Sequence, residues 1–179
     1  VYIAHSYLRG LWPPQKKSFI ASYQVTANLI ATHRAAYRAL KNSHQDIQIG
    51  IVLNMPWFES GGGMANNFLK WCAERIWTFH ILNHIKNETD FIGLNHYFHN
   101  RIRYGFNKNK NERVSDMGWE LYPEAIYRVL HDLKKYHKPV YITENGLADA
   151  EDKNRAWFIR EIIKNIERAI EEGIRVCGY

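Results

Sequence analysis

Apolar residues recur along this chain with two different periods. Between residues 18 and 40, Thr26, Leu29, His33, Ala36 and Leu40 fall on one helical face, with Tyr23, Ala27, Ile30 and Tyr37 on the adjoining one. An arc that wide predicts a helix packed on more than one neighbour. Before it, Trp12-Pro13-Pro14 interrupts regular structure, because proline lacks a backbone donor, and residues 1–17 read as a loop. The run 47–55 is short, β-branched and halted by Pro56, the pattern of a buried strand. Gly61-Gly62-Gly63 then precedes a helical stretch predicted over 64–86.

The alternation repeats with a strand over 90–97, a long polar loop, a helix over 123–136 and a strand over 139–143. A loop through residue 153, a helix over 154–172 and a strand from 175 onward complete it. In the last helix Phe158, Ile162, Ile163, Ile166, Ala169 and Ile170 share one face, and Gly173 stands where a C-terminal cap belongs. Continuous apolar strands alternating with helices predict an α/β fold with a parallel sheet covered by helices. Composition does not shift along the chain, so residues 1–179 read as one domain.

The hydrophobic fraction of 46% excludes a disordered tail. Two cysteines, Cys72 and Cys177, are too few for a disulfide-stapled secreted fold. No run of 18 apolar residues and no visible signal peptide occur, which predicts a cytoplasmic chain without a membrane span. The first residue is Val1 rather than Met, and Gly178-Tyr179 follows a strand-like start, so the chain reads as a piece of something longer. The formal charge is +6, and its densest cluster lies at 101–113, where Arg, Lys, Asn and aromatics interleave. That cluster reads as a solvated loop, with nucleic-acid or anionic-glycan binding as the competing reading.

Parallel α/β sheets carry their chemistry at the carboxyl ends of the strands. Three such ends are polar where a buried strand should not be: Asn54-Met55-Pro56-Trp57-Phe58-Glu59, Asn95-His96-Tyr97 and Thr143-Glu144-Asn145-Gly146. Glu144 is the sharpest, since it follows Val140-Tyr141-Ile142 and a charge at that point costs energy unless it is used or paired. A second role, pairing with an Arg or local backbone, stays open on the residues alone.

Val140-Tyr141-Ile142-Thr143-Glu144-Asn145-Gly146 resembles the nucleophile motif of glycoside hydrolase family 1, the retaining β-glucosidases and β-galactosidases with a (β/α)8 TIM barrel. Asp90-Phe91-Ile92-Gly93-Leu94-Asn95-His96-Tyr97 resembles that family's strand 6, and Met117-Gly118-Trp119-Glu120-Leu121-Tyr122-Pro123-Glu124 the approach to its helix 6. Residues 160–179 resemble helix 7 and the start of strand 8, and Tyr7-Leu8-Arg9-Gly10-Leu11-Trp12-Pro13-Pro14 the stretch after the acid/base Asn-Glu-Pro. The segment 56–88 is shorter than the family's helix 5 region, and His96 replaces a common tyrosine.

The resemblance implies a partial barrel, from about helix 4 to the start of strand 8, acting on a β-linked glycoside and joined by a missing N-terminal half. It makes Glu144 the nucleophile and Tyr97 the residue that orients it. Asn95 lies in the same substrate site, and Trp119 is an aromatic wall on the leaving-group side. The acid/base residue would fall before Val1, so the activity belongs to a longer parent and the piece alone is expected to be inactive. Glu59 and Glu120, the other carboxylates near strand ends, read as helix-start or solvated surface residues. No cofactor, metal, membrane or nucleic-acid partner is implied, although the charge would also suit a 6-phospho-β-glycosidase. His80 and His84 sit four apart in the helical stretch but lack a third ligand, so they read as ordinary helix residues.

Overall fold

The computed structural model describes residues 1–179, which divide into two compact units, Val1–Ile49 with Ile81–Thr89, and Gly50–His80 with Asp90–Tyr179. In the first unit α1 (Phe19–Ser43) starts where the Ser18 hydroxyl accepts the Ala21 amide at 3.2 Å, a side-chain cap of the expected kind. The expected burial of its wide apolar arc is not found: only Ile30 is buried, while Tyr23 is 68% exposed. Polar links serve instead. His33 Nε2 lies 2.6 Å from the Glu88 carbonyl, and Arg34 and Arg38 pair with the Glu88 carboxylate. Residues 1–17 are not all loop either, because Ala4–Leu8 closes a π-helical turn, with the Arg9 amide donating to the Ala4 carbonyl.

The second unit holds β1 (Gly50–Asn54), β2 (Trp57–Ser60), α2 (Met64–Ala73), β3 (Phe91–His96) and β4 (His99–Ile102). It continues with α4 (Glu124–Leu133), β5 (Val140–Asn145), α5 (Arg155–Glu171) and β6 (Val176–Gly178), while α3 (His80–Ile85) spans the two units. The helix expected over 64–86 is interrupted by the π segment Glu74–Thr78, in which the Phe79 amide reaches back to the Glu74 carbonyl at 2.9 Å. One extra residue in a turn rotates the following face, so the run does not continue as a single α-helix.

Four strands form a parallel sheet in the order β1-β3-β5-β6, each step crossing over through helical chain. That is the strand order of a barrel wound in one direction. Alternation along the strands sorts two faces. Ile92 and Leu94 of β3 and Val140 and Ile142 of β5 are buried, as are Ile126, Leu130 and Leu133 of α4 and Phe158, Ile162 and Ala169 of α5. Helices α4 and α5 pack on each other, which explains why this part of the apolar pattern was the most regular. On the opposite face aromatic rings sit over glycine. A Cβ on Gly50 would lie 2.5 Å from the Phe91 ring and 2.6 Å from the Phe91 carbonyl oxygen.

Strands β2 and β4, which the apolar pattern does not reveal, pair in parallel beyond Pro56 and Phe98. Their register sets Trp57 opposite His99 and Glu59 opposite Arg101, while Phe58 and Ile102 turn the other way into a small core with Ala73 and Leu69.

Candidate active site

Three polar residues meet in one row across the carboxyl ends of the strands. Asn54 pairs in register with Asn95, and Asn95 with Glu144. The second pairing depends on a bulge. Leu94 faces Ile142, but the next pair is Asn95 with Glu144, so Thr143 is the extra residue. In a strand that simply alternated, Glu144 would follow Ile142 toward the helices. The inserted residue reverses the parity beyond it and sets the carboxylate on the face of Asn95. Thr143 Oγ1 then donates to Asn95 Oδ1 at 2.6 Å.

Tyr97 lies one residue past β3, yet its hydroxyl donates to Glu144 Oε2 at 2.9 Å. Partial burial and, after it, the bond to and the charge of Glu144 push the phenol above its ordinary pKa, so it stays a donor. Asn145 Nδ2 donates to the His96 carbonyl at 2.6 Å and ties the end of β5 to β3. His96 points the other way and is buried, its Nδ1 2.8 Å from the Met55 carbonyl. Burial is the main reason its pKa falls to about 4, with the bond to Met55 opposing and the nearby His99 adding to the fall. Trp119 completes the group: its ring centroid is 6.4 Å from Tyr97 and 5.1 Å from Phe98, and it is 42% exposed. All four residues singled out in the sequence, Asn95, Tyr97, Trp119 and Glu144, thus gather at one end of one sheet.

Glu59 and Glu120 need correction. Glu120 is 7% exposed, not solvated, and its Oε2 lies 2.6 Å from His99 Nδ1, although not in good hydrogen-bond geometry. His99 Nε2 is 3.0 Å from Glu59 Oε2, and Arg101 Nε is 2.6 Å from the same oxygen. Burial alone would raise the Glu59 pKa, but the bonds from Arg101 and His99 outweigh it and hold the carboxyl below its ordinary value. The sequence signal was the period of two that puts Glu59 beside Trp57 and Arg101 beside His99, invisible without knowing that β2 and β4 pair.

The 101–113 run is a solvated loop, as its composition suggests, apart from Arg101 and Ile102, which belong to β4, and it is held in shape by its own polar side chains. Asn107 donates its amide to Asn100 Oδ1 at 2.9 Å, and Asn109 accepts from the Arg101 amide while donating to the His99 carbonyl. The Tyr104 amide donates to Asn66 Oδ1, and the Arg113 guanidinium lies 4.3 Å from the Trp157 ring centroid. The asparagines thus serve the loop's own fold. No group of three or more His, Cys, Asp or Glu residues is arranged to hold a metal ion, and no helix is long and apolar enough to cross a membrane.

Comparison with known proteins bears on the fold and the family. The 1,4-β-D-glucan glucohydrolase of Thermotoga neapolitana is 28% identical over 221 residues, which cover 97% of this chain and 52% of that protein. A β-galactosidase of Sulfolobus acidocaldarius is 28% identical over 209 residues, covering 98% of this chain and 42% of its own length. The chain spans about half the length of the curated relatives it matches. Among solved structures, the β-glycosidase from Pyrococcus horikoshii superposes with a TM-score of 0.91 at 31% identity, covering 99% of this chain and 48% of that one. The β-glucosidase from Thermotoga maritima in complex with glucoimidazole gives 0.90 at 23% identity, a likeness of fold, here part of a (β/α)8 barrel. The model of glycosyl hydrolase family 1 matches residues 1–81 and 73–179, and the chain belongs to that family.

Proposed function

We propose that this chain supplies the nucleophile side of a retaining β-glycosidase, with Glu144 as nucleophile and a β-O-linked glycoside as substrate. The observation that carries the reading is the 2.9 Å hydrogen bond from Tyr97 to Glu144 Oε2, which leaves Oε1 for attack. In a retaining mechanism the carboxylate oxygen forms a bond to the anomeric carbon as the bond to the leaving oxygen breaks. Water then cleaves the glycosyl ester, which returns the carboxylate. Tyr97 orients the attacking group and donates to its charged form. Asn95, level with Glu144 in the sheet, suits a sugar hydroxyl, and the exposed ring of Trp119 suits packing against the leaving group.

The second carboxyl of a retaining pair stands about 5 to 5.5 Å from the first. Glu59 and Glu120 are engaged by His99 and Arg101, so neither is assigned that role. The proton donor is assigned to the part of the family barrel that this chain does not span. No cofactor takes part in the proposed steps. A cytoplasmic location is also part of this reading, with Cys72 and Cys177 unpaired as expected in a reducing compartment.

A 2-deoxy-2-fluoro-β-glucoside with a dinitrophenyl leaving group tests the assignment directly, because such a leaving group departs without a proton donor. Incubation with the full-length parent should add one fluoroglucosyl unit on the peptide that contains Glu144. A label on any other carboxylate, or none, would overturn the assignment.

A further inference from the structure

His99 has both ring nitrogens at carboxylates and its ring planes against aromatics. Glu59 from β2 approaches Nε2 and Glu120 from the 113–121 segment approaches Nδ1. The Trp57 ring lies 5.2 Å away at 26° and the Tyr122 ring 4.6 Å away at 32°. The imidazole is 2% exposed, so its orientation is fixed on every side. The groups that face it are Glu59, Glu120, Arg101, Tyr122, Trp57 and, within the same strand region, His96. None of these has a part in the chemistry proposed above.

What the cluster grips is the segment that presents Trp119. Residues 113–121 fold back on themselves: the Ser115 amide donates to the Trp119 carbonyl, the Leu121 amide to the Arg113 carbonyl, and Val114 bridges to Glu120. The turn closes at Gly118, whose φ of +71° is a conformation that favours glycine. Within this fold-back Trp119 and Glu120 are consecutive residues whose side chains meet different neighbours. Glu120 goes inward to His99 and also accepts the Asn111 amide at 2.9 Å, while Trp119 lies toward Tyr97 and Phe98.

We propose that His99 is the positioning residue of the site: through Glu120 it sets the place of the Trp119 ring beside the Tyr97 and Glu144 pair. It does not touch substrate. The Glu59 and Arg101 pair, aligned by the register of β2 and β4, anchors the other side of the ring to the sheet. The part of this inference that concerns catalysis rests on reading Trp119 as the wall on the leaving-group side, whereas the mechanical linkage does not.

The test uses the full chain, labelled with 15N, as wild type, His99→Phe and Glu120→Gln, with indole signals assigned by single Trp→Phe variants. Both variants should shift the Trp119 indole resonance and lose its NOEs to the Tyr97 and Phe98 rings. The Trp71 indole, which stacks on Phe68, should stay in place. Glu120→Gln keeps the volume of the side chain and its acceptor for Asn111, so it remains informative if His99→Phe fails to fold. Unchanged Trp119 NOEs in Glu120→Gln would overturn the linkage. Addition of dinitrophenolate, the leaving group, separates the two ideas: if wild-type Trp119 does not respond to it, the wall reading fails while the linkage stands.

Discussion

Asn95 and Glu144 face each other across β3 and β5 because Thr143 is bulged out between them. A single inserted residue thereby converts a carboxylate that alternation would bury against helices into one level with two asparagines and within reach of a phenol. Bulges re-aim side chains in this way at barrel rims and beside active sites.

Glu144→Gln should leave stability within about 0.5 kcal/mol of wild type, because the side chain is exposed and carries no core contact. Urea melts of the two proteins should superimpose while fluoroglucoside labelling disappears in the full-length parent. A large loss of stability would mean that the carboxylate is structural.

Tyr97→Phe removes one charge-assisted hydrogen bond. Since the pair is exposed, the loss belongs at the low end of the usual range, about 1.5 kcal/mol, or roughly tenfold in the rate of labelling. Time courses of label incorporation into the full-length parent by intact-mass measurement provide the comparison, and equal rates would remove Tyr97 from the mechanism.

His96 should make the fold acid-sensitive. Its folded pKa of about 4 lies below the unfolded 6.5, so between those values the unfolded chain binds more protons. Stability is then full above pH 6.5, falls as the pH drops toward 4 and levels off below, with a contribution of roughly 3 kcal/mol. His96→Gln should flatten that part of the curve in urea melts at pH 4.5 and 7. Parallel curves for the two proteins would show that burial of this ring does not govern the acid limb.

Gly50→Ala should destabilise the second unit by about 1 to 3 kcal/mol, because the new methyl meets the Phe91 ring and its carbonyl oxygen, and a backbone atom held in register cannot give way. Thermal melts would reveal it; an unchanged midpoint would mean that β1 and β3 separate at this end.

Much of this molecule was legible in the order of its residues. The alternation of strands and helices, the apolar face of α5 from Phe158 to Ala169 and the glycine that ends it are local patterns, each set by the period of its own element. The motif around Glu144 was legible for the same reason, since an acidic residue at the end of an apolar strand is conspicuous without a partner. What could not be seen needed a second strand. The polar β4 is a strand because β2 offers it a hydrogen-bonding edge, and the Thr143 bulge exists only as a mismatch between β3 and β5. Glu120 looked like a surface carboxylate because nothing local marks its burial; His99, whose ring nitrogen lies 2.6 Å from its carboxyl oxygen, is 21 positions earlier in the chain. Periodicity is a property of one segment and can be read from it, whereas register, parity and the pairing of buried charges are relations between segments, and these come into being only when the chain packs.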